Sequence, residues 1–410
     1  MTSNILDLGP DDLQDKKVLV RVDFNVPFNK DGSIAEDSRI KAAIPTIKYL
    51  TDSGAKVILV SHLGRPKGEK KEEFSLRPVC QRLEELLKNF GKKVLFSKET
   101  IGDIAQKTID QLRPGDCCLL ENVRFHKGEE KNDPEFAKEL GKLADIYVND
   151  AFGTAHRAHA STQGVTKYLS PAVAGLLMHD EVTMLSEALN NPVKPVATII
   201  GGAKVSTKIG VLDNLLGKVD TIIIGGAMAF TFLKAQGLEV GKSLVEEDRL
   251  DYCKELEKKA KAKGVKIILP RDVVVADELK GGIKTETVPC TNIPKDKMGL
   301  DVGPESVKEI IEALKASKTI LWNGPLGVFE IEEFSKGTFD VIDTLVELTE
   351  KGVKTIVGGG DSVSALKQKG VSTEALTHVS TGGGASLEFL EGKELPGVSC
   401  LDESAKIVAR

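Results

Sequence analysis

Short apolar runs alternate with longer amphipathic stretches along most of the chain. The runs have the length and the Val, Ile and Leu content of buried parallel strands. Stretches such as LDYCKELEKKAKAKG (250–264) and SVKEIIEALKAS (306–317) have the apolar spacing of amphipathic helices. This strand, helix, strand order predicts βαβ units and parallel sheets, an α/β fold. The predicted strands form two series, VLVRVDF (18–24), KVILVS (56–61), CCLLEN (117–122) and IYVND (146–150), then VATIIGG (196–202), TIIIGG (221–226), KIILP (266–270), TILWNG (319–324) and KTIVGGGD (354–361).

A long helical pattern separates the two series of strands, at residues 170–191. Ser170 and Pro171 have the residue types of an N-cap and a first helical position. The pattern stops at Asn190-Asn191-Pro192. We interpret this segment as a helix that connects two domains, and a core helix of either domain is the alternative.

Length and composition favour a two-domain enzyme. The 410 residues, of which 41% are hydrophobic, exceed the usual size of one domain. The net charge of -5 argues against a surface that grips nucleic acid. Abundant glycine and few aromatic residues suit tight βα turns better than a platform for stacked bases.

The cysteines and the N-terminal sequence bear on the cell compartment. The six cysteines have no CxxC spacing and no Cys/His spacing typical of zinc sites, so we expect reduced, buried thiols. The first residues lack the basic and apolar regions of a signal peptide, and no apolar run reaches the roughly 18 residues of a membrane span. We therefore expect a cytoplasmic protein that is not bound to a membrane.

Polar and basic residues follow the strands of the first series. Ligands of open parallel sheets bind beyond the carboxyl ends of the strands, and arginine there suits bidentate capture of a phosphate or carboxylate. We expect Arg77, Arg82 and Arg113, which lie in helical patterns, to be surface or structural residues. Metal binding by His156 and His159 lacks a third ligand nearby. The strand-end candidates are Asp23, Asn25, His62, Arg65, Asn122, Arg124, Asn149, Asp150 and Arg157.

The strands of the second series end in glycine instead, at 201–202, 225–226, 324 and 358–360, with a later group at 382–384. Because glycine has no side chain, phosphates or a purine can approach its backbone closely, and the amides of a following helix favour anions. Lys204 and Lys208 have i and i+4 spacing, which in a helix would place both ammonium groups on one face. Asp361, after the triple glycine, is suited to Mg²⁺ that bridges phosphates.

Two common nucleotide fingerprints are absent from the sequence. No GxGxxG occurs, and GLEVGKS (237–243) is one residue short of GxxxxGK[ST]. A dehydrogenase and a P-loop ATPase are therefore disfavoured.

A set of longer motifs resembles one family over both halves of the chain, from about residue 17 onward. They are RVDFNVP, SHLGRP, ENVRF, NDAFGTAHRAHAST, GGAKVSTK, GGAMAFTFL, LDVGPES, WNGPLGVFE, GGGDS and STGGGASLEFLEGK. Together they resemble the phosphoglycerate kinases. The resemblance implies two doubly wound, Rossmann-like domains that face each other across a cleft and are joined by a long helix. It places a 3-phosphoglycerate domain at 1–172, the connecting helix at 173–190 and a nucleotide domain at 191–396, with 397–410 packed back on the first domain.

The resemblance also implies a role for individual residues, and it alone selects Arg39, Gly299, Pro325, Glu330 and Ser362. Glu330 corresponds to the acceptor of the ribose hydroxyls and Asp361 to the partner of Mg²⁺. The catalytic set is Arg39, Lys204, Lys208, Gly360 and Gly384. The set for the acid substrate is Asp23, Asn25, Arg39, His62, Arg65, Arg124 and Arg157. The nucleotide set is Gly202, Lys204, Lys208, Gly226, Gly299, Asn323, Pro325, Glu330, Gly359, Gly360, Asp361 and Ser362.

The resembling family implies reversible phosphoryl transfer between 1,3-bisphosphoglycerate and MgADP, with Mg²⁺ as the metal and hinge closure of the two domains. We expect a monomer that binds small molecules and neither nucleic acid nor membrane. Ser362 and Ala227 depart from the family's more usual Thr and Gly. Two other functions are the alternatives, a non-catalytic nucleotide or anion sensor and a sugar-acid dehydrogenase.

Overall fold

The computed structural model describes residues 2–403, which divide into two units. The first unit contains the chain up to Thr183 and the chain from Glu394 onward, and the second contains Met184–Lys393. The chain therefore leaves the first unit within the helix Leu176–Asn190 and returns to it after Lys393.

Each unit is organised around a six-stranded parallel sheet. The strand order is β3-β4-β2-β1-β5-β6 in the first unit and β15-β14-β13-β7-β8-β9 in the second. A three-stranded antiparallel sheet, in the order β11-β10-β12, completes the second unit. The strands are β1 Lys17–Arg21, β2 Lys56–Val60, β3 Val94–Phe96, β4 Cys117–Leu119, β5 Ile146–Asn149, β6 Ala172–Ala174, β7 Val196–Ile200, β8 Thr221–Ile224, β9 Lys266–Ile268, β10 Asp272–Ala276, β11 Glu286–Pro289, β12 Met298–Val302, β13 Thr319–Asn323, β14 Lys354–Gly358 and β15 His378–Val379.

Helices connect the strands, and short 3-10 turns occupy several loops. The helices are α1 Pro10–Leu13, α2 Ser38–Asp52, α3 Arg77–Lys88, α4 Gly102–Ile109, α5 Pro134–Gly141, α6 Leu176–Asn190, α7 Ile209–Leu215, α8 Met228–Ala235, α9 Leu250–Ala262, α10 Pro304–Lys315, α11 Lys336–Glu350, α12 Gly360–Lys369, α13 Gly383–Leu390 and α14 Pro396–Ser399. The predicted α/β class with parallel sheets is confirmed.

The middle positions of the central strands are apolar because both faces of a parallel sheet are covered. Val18, Leu19 and Val20 of β1 are fully buried, and so are Ile320 of β13 and Ile199 of β7. Separate hydrophobic clusters form on the β1 sheet and on the β13 sheet. Each unit therefore has its own core.

Strand register aligns the carboxyl ends of the central strands in both units. In the first sheet Arg21 lies opposite Val60 on one side and Asn149 on the other. In the second sheet Asn323 lies opposite Ile200 and Gly358. The residues that follow these pairs therefore meet at one edge of each sheet, where the sequence has its arginines or its glycines.

Two parts of the fold differ from the sequence-based prediction. Ser170 and Pro171 do not begin the connecting helix: residues 172–174 form the buried edge strand β6, paired with β5, and α6 begins only at Leu176. Pairing with β5 outweighs the local capping pattern because it buries Val173 in the core of the first unit. The predicted end of the helix at Asn190 is confirmed. The antiparallel sheet was not predicted at all.

The chain after Lys393 is bound to the first unit by backbone hydrogen bonds. The amide of Gly397 donates to the carbonyl of Ala155 at 2.8 Å, and the amide of Asp402 donates to that of Ala172 at 2.8 Å. Residues 404–410, the remainder of the predicted returning segment, lie outside the described residues.

Two further expectations concern the thiols and the membrane. All six cysteines are free; five of them are buried as predicted, and Cys400 is partly exposed. Burial raises the pKa of Cys80 to about 12. Among the described residues, no helix has the length and apolar character needed to cross a membrane.

Candidate active site

The loop after β1 holds a half-exposed arginine against a carboxylate. Arg39, the second residue of α2, directs Nη1 to both oxygens of Asp23 at 3.1 and 3.2 Å and to the carbonyl of Asn25 at 3.2 Å. Its side chain is 40% exposed. Asp23 thus orients Arg39 toward the end of the sheet while part of the guanidinium still faces solvent.

A chain of hydrogen bonds continues from Asn25 to Arg124. The side-chain oxygen of Asn25 accepts from the amide of Gly64 at 2.9 Å, and Nη1 of Arg124 donates to the carbonyl of Gly64 at 2.9 Å. Arg124 is only 4% exposed, and its buried Nε has no hydrogen-bond partner among residues 2–403. The nearest carboxylate oxygen, Oε1 of Glu130, is 3.7 Å away. An unpartnered buried donor of this kind fits an anionic ligand.

Arg21, which sequence reasoning did not select, is fully buried next to His62. Arg21 donates from Nε to Oγ of Ser161 at 2.7 Å and from Nη1 to the carbonyl of Val22. Its Nη2 is 3.2 Å from Nδ1 of His62. The carboxylate of Glu129, also fully buried, accepts from the amide of Ser161 at 2.9 Å and from its hydroxyl at 2.6 Å. The signal in the sequence was a charged residue inside an otherwise apolar strand.

The electrostatics of the first site favour an anion. Burial lowers the pKa of His62 well below its usual value, and Arg21, Arg124 and Arg39 lower it further. Burial and the same kind of neighbours lower the pKa of His159 to about 4. Both imidazoles are therefore neutral at pH 7, and the positive charge of the site comes from guanidinium groups.

The remaining candidates of the first unit separate into exposed and structural residues. Arg65 and Arg157 are exposed, and Nε of Arg157 is 3.3 Å from Nε2 of His156. No group of three His, Cys, Asp or Glu side chains within residues 2–403 could hold a metal, which leaves the His156 and His159 pair without a further ligand. Arg82 pairs with Asp37 at 2.8 Å.

Two more predicted structural arginines differ in their surroundings. Arg77 lies over the ring of Phe96 at 4.7 Å from the centroid. Arg113 is exposed and follows the end of α4 rather than lying in a helix.

Three polar residues at strand ends of the first unit serve the fold. The side chain of Asn122 hydrogen-bonds both backbone groups of Leu63. Its amide nitrogen donates to the carbonyl at 2.7 Å, and its oxygen accepts from the amide at 3.2 Å. Asn149 donates to the carbonyl of Gly397 at 3.1 Å. Asp150 accepts from the amide of Met178 at 3.3 Å in the first turn of α6, and burial raises its pKa to about 7.

The second unit has two cavities at the carboxyl ends of its central strands. We call them cavity A, of about 350 Å³, and cavity B, of about 230 Å³. They share Gly202, Ala203 and Asp361. Of the predicted nucleotide and catalytic residues, Lys208, Asn323, Gly359, Gly360 and Gly384 line cavity A, and Gly226, Gly299, Pro325 and Glu330 line cavity B.

The glycine turns at this edge are required by backbone geometry. Gly226 has φ +68°, and a Cβ there would come within 2.5 Å of the carbonyl oxygen of Gly202. Gly359 has φ +91° immediately before α12. Gly360, the first residue of α12, is exposed, lines cavity A and has nothing within 4 Å of an added Cβ. The first amides of a helix have no partner within the helix and bind anions.

Lys208 and Asn323 form the polar wall of cavity A. Nζ of Lys208 donates to the side-chain oxygen of Asn323, and burial lowers the pKa of that lysine. The side-chain nitrogen of Asn323, which is 2% exposed, has no hydrogen-bond partner within residues 2–403. This donor is available to a ligand oxygen.

The helical spacing predicted for the two lysines is wrong. Lys204 is extended (φ −132°, ψ 129°) and precedes a 3-10 turn at Val205–Thr207, while Lys208 is the residue before α7. Lys204 is exposed and does not line cavity A or B. The reason is local, since the chain needs a tight turn between β7 and α7.

Cavity B has an apolar wall that depends on the antiparallel sheet. Gly299 of β12 faces the ring of Phe230, which a Cβ at 299 would approach to 2.1 Å. Asp301 accepts from the amides of Val302 at 2.9 Å and Gly337 at 2.8 Å, and burial raises its pKa to about 7. Sequence reasoning missed Phe230 and Asp301 because it did not predict this sheet.

Ser362 contacts the glycine turn that follows β13. It is fully buried, and its hydroxyl accepts from the amide of Gly324 at 2.8 Å. It does not line cavity A or B.

A larger cavity of about 580 Å³ lies away from these strand ends. It is lined near the starts of β8 and β9, where Lys266 and Arg271 pair with Glu309 at 3.6 and 2.5 Å. Because Lys266 and Arg271 already pair with Glu309 and the cavity lies away from the carboxyl ends of the strands, we do not assign it to the site.

The two units can therefore bind two kinds of anion. The first presents guanidinium groups and a neutral imidazole, which suit a small acid with anionic oxygens at fixed positions. The second presents helix amides, a lysine, a free amide nitrogen and an apolar wall, which suit a polyphosphate joined to a ring. Asp361 lies at the junction of cavities A and B, where a carboxylate would meet a phosphate-bound cation.

Comparisons with known proteins agree on one family. The family model described as phosphoglycerate kinase matches residues 7–393. The chain is 58% identical over 397 residues to the cytosolic phosphoglycerate kinase of Triticum aestivum, covering 97% of this chain and 98% of the relative. It is 57% identical over 398 residues to the chloroplastic enzyme of Volvox carteri, covering 97% and 85%. A solved phosphoglycerate kinase structure from Coxiella burnetii has a TM-score of 0.88 at 43% identity and covers 98% of both chains.

Proposed function

The chain belongs to the phosphoglycerate kinase family, and from that premise we propose where its two substrates bind and how its residues act on them. The enzyme is a phosphotransferase with a carboxyl group as acceptor. It catalyses the reversible transfer of a phosphoryl group between 1,3-bisphosphoglycerate and ADP, giving 3-phosphoglycerate and ATP, a reaction of glycolysis. The sensor and dehydrogenase alternatives receive no support.

The acid substrate binds the arginine-rich end of the β1 sheet. The proposal is supported by the buried, unpartnered Nε of Arg124 and by the hydrogen-bond chain through Asn25 and Gly64. Charged donors with fixed orientation match a molecule that carries a carboxylate and a phosphate. The proposed ligands are Asp23, Asn25, Arg39, His62, Arg65, Arg124 and Arg157.

The nucleotide binds in cavities A and B. The unpartnered amide nitrogen of Asn323 and the exposed start of α12 at Gly360 support phosphates in cavity A. The apolar wall formed by Phe230 and Gly299 supports a purine in cavity B. The proposed ligands are Gly202, Lys204, Lys208, Gly226, Gly299, Asn323, Pro325, Glu330, Gly359, Gly360, Asp361 and Ser362, of which Lys204 and Ser362 are outside the lining of both cavities.

The residues present fit Mg²⁺ that arrives with the nucleotide. Mg²⁺ prefers one or two protein carboxylates plus phosphate oxygens, and Asp361 is an exposed carboxylate that lines both cavities. Bound there, the ion would neutralise phosphate charge. Asp361 is accordingly the residue proposed to hold it.

The chemistry needs no protein base. The nucleophile is an oxygen of the ADP β-phosphate in one direction and a carboxylate in the other, and both are anionic at pH 7. The protein therefore acts by positioning and by cancelling charge on the transferring group. We assign that task to Arg39, Lys204, Lys208 and the helix amides at Gly360 and Gly384, with Lys208 supported by its partly buried position in cavity A.

The two ligand sets belong to separate units, so turnover requires hinge closure. Reacting atoms must come within about 3 to 3.5 Å, and water must be kept from the acyl phosphate. We place the bending at the ends of α6 and near residues 390–392. Small-angle scattering tests this proposal: the radius of gyration should fall most when both substrates or a bisubstrate analogue bind, and identical scattering in every ligand state would overturn it.

The observation that carries the site assignment is the unpartnered donor in each unit, Nε of Arg124 and the amide nitrogen of Asn323. The test starts with 3-phosphoglycerate-dependent formation of ADP from MgATP. Separate titrations with each substrate then use Arg124→Met and Asn323→Leu. Each variant should weaken the binding of one substrate only. Weaker binding of the other substrate would refute the assignment.

We further propose a cytosolic monomer that does not bind nucleic acid. One relative is named cytosolic and another chloroplastic, so the compartment needs a direct test. Light scattering after size exclusion measures the mass of the particle, and cell fractionation gives its location. A mass near twice the chain's 44.1 kDa would contradict the proposal.

A further inference from the structure

Arg21 is a buried charged residue that the reaction as described above does not use. It is 0% exposed, and all three of its nitrogen groups are engaged, by Ser161 Oγ, by the carbonyl of Val22 and by Nδ1 of His62. Removing a guanidinium from water carries a large cost unless each donor is satisfied. The position of Arg21 therefore calls for a reason beyond packing.

The contact with His62 determines where the imidazole carries its proton. A guanidinium has five donors and no acceptor. In the 3.2 Å contact between Nη2 of Arg21 and Nδ1 of His62, the histidine nitrogen must therefore be the acceptor. An accepting Nδ1 has no hydrogen, so the neutral ring carries its proton on Nε2. Nε2 makes no hydrogen bond to the protein within residues 2–403 and is left for a ligand.

A second pair of residues keeps Arg21 in this orientation. The hydroxyl of Ser161 accepts from Nε of Arg21 at 2.7 Å and donates to Oε1 of Glu129 at 2.6 Å. Glu129 also accepts from the amide of Ser161, so its carboxylate is held on both oxygens. The guanidinium thus contacts a buried carboxyl group through Ser161, and it cannot rotate without breaking this network.

We propose that Arg21 is a positioning residue that holds His62 as the neutral tautomer with its proton on Nε2, so that His62 donates this hydrogen to an anionic oxygen of the acid substrate. The proposal rests on the proposed function, because it specifies how one residue of the proposed acid site acts. It assigns His62 the part of a hydrogen-bond donor and not that of an acid, a base or a cation.

The surroundings of His62 agree with a neutral ring. Burial is the main cause that lowers the pKa of His62, and the charged or titratable groups that act on it are Arg21, Arg124, Arg39 and His159. All of these lower it. Protonation would place a cation among three guanidinium groups, so the ring should stay neutral over the physiological range.

Nitrogen NMR on the substrate-free wild-type enzyme tests the tautomer directly. With ¹⁵N-labelled histidine the six imidazoles give separate ring signals, and the signal lost in His62→Gln assigns His62. We expect an unprotonated Nδ1 and a protonated Nε2, unchanged between about pH 5 and 8. A proton on Nδ1, or a titration near the usual pKa of His, would overturn the proposal.

Kinetics of Arg21 variants test the consequence for binding. Arg21→Met should raise KM for 3-phosphoglycerate by about tenfold or more while KM for MgATP stays within about twofold. Arg21→Lys keeps one donor and should recover part of the loss. Arg113→Met removes an exposed arginine of the same unit and should change neither KM.

The tautomer of His62 in the variant separates positioning from a merely structural role. In Arg21→Met no donor faces Nδ1 of His62, so ¹⁵N NMR of the variant should show part of the neutral rings with the proton on Nδ1. A ring that stays fully protonated on Nε2 in Arg21→Met, as in the wild type, would contradict the proposal.

Two amide variants of His62 cover the case in which Arg21→Met does not fold. The amide nitrogen of Gln reaches about as far as Nε2 and that of Asn about as far as Nδ1, so His62→Gln should keep at least about fivefold more affinity for 3-phosphoglycerate than His62→Asn. Affinities that are weakened equally in both variants would overturn the proposal. If the wild type turned over but bound the acid elsewhere, the NMR result would stand while both kinetic tests showed no change, which identifies a failure of the proposed site instead.

Discussion

The two units use different parts of the chain to bind their ligands. The first unit relies on side chains, with Arg39 and Arg124 held by Asp23 and by the carbonyl of Gly64. The second relies largely on backbone, with turns at Gly226 and Gly359 where no side chain takes up space in cavities B and A. Both kinds of site occur at the same place in a parallel sheet, beyond the carboxyl ends of the central strands.

This difference in construction predicts which substitutions impair each site. A site built from arginines depends on the charge and orientation of each side chain, so truncation removes a donor that nothing replaces. A site built from glycines depends on empty space, so adding a methyl group is the damaging change. The predictions below exploit this contrast.

The largest effect is expected for Arg39→Ala. The guanidinium is half exposed and held by Asp23, and its charge should matter most when the phosphoryl group is in transfer. We expect kcat to fall about 10²-fold or more, with a much smaller change in either KM. Steady-state kinetics of the coupled reaction measure both. An unchanged kcat with weaker binding of 3-phosphoglycerate would remove Arg39 from the catalytic set.

Asp361→Asn should affect the second unit alone. The substitution keeps the shape of the side chain but removes the charge proposed to hold Mg²⁺. We expect about 20-fold weaker apparent affinity for both Mg²⁺ and nucleotide, with 3-phosphoglycerate affinity nearly intact. Titration of Mg²⁺ at fixed nucleotide, and of each substrate, gives the three constants. Weaker binding of the acid substrate would show that the assignment of ligands to units is wrong.

Gly360→Ala tests the claim that empty space is the essential feature of cavity A. Its Cβ would meet no protein atom within 4 Å and α12 begins there, so the fold should be as stable as before. The methyl group would instead meet the phosphates, and we expect KM for MgATP to rise about five- to tenfold. Gly281→Ala, in an exposed loop of the same unit, is the matched control and should change nothing. A KM unchanged in Gly360→Ala would show that phosphates do not approach this amide.

The smallest effect concerns stability and compares two buried carboxylates, one in each unit. Burial raises the pKa of Asp150 and of Asp301 to about 7, well above the ordinary value of 3.8. Between about pH 4 and 7 the folded state therefore binds more protons than the unfolded state, and each group's contribution to stability falls as pH rises. Asp150→Asn, which cannot ionise, should gain stability relative to wild type as pH rises from about 5 to 8.

Thermal unfolding midpoints at several pH values measure this difference. Asp103→Asn, at an exposed position of α4, serves as the control for removal of a carboxylate without burial. A difference between Asp150→Asn and wild type that does not change with pH would mean that Asp150 ionises normally in the folded protein.

Much of the fold could be predicted because burial leaves a local signal. The central strands are mostly apolar and buried, and the prediction placed all of them within a few residues of their observed bounds. Strands whose signal comes from pairing were missed. β11 has mostly exposed residues, and β6 has only three, so neither differs locally from a loop or a helix start.

The candidate site could be predicted only in part, for a similar reason. Asn25 and Arg124 follow strands in the sequence, so the rule for parallel sheets selects them. Arg39 lies in α2, fourteen residues after Asn25, and no local pattern indicates that its guanidinium returns to Asn25. For Lys204 the local pattern was misleading. Its spacing to Lys208 indicated one helical face, but Lys204 is extended and precedes a 3-10 turn.

The sequence by itself determined the α/β class, the two series of parallel strands and the chemistry available at their ends, since apolar runs and turn residues act over a few neighbours. Only the tertiary structure decided which of those side chains meet. Arg21 contacts Ser161, which is 140 residues away in the chain, because β1 lies between β2 and β5 and brings the following loops to one edge. Likewise Lys208 reaches Asn323 because β7 pairs with β13. Such contacts depend on strand order and register, and these are properties of the whole sheet that no short segment encodes.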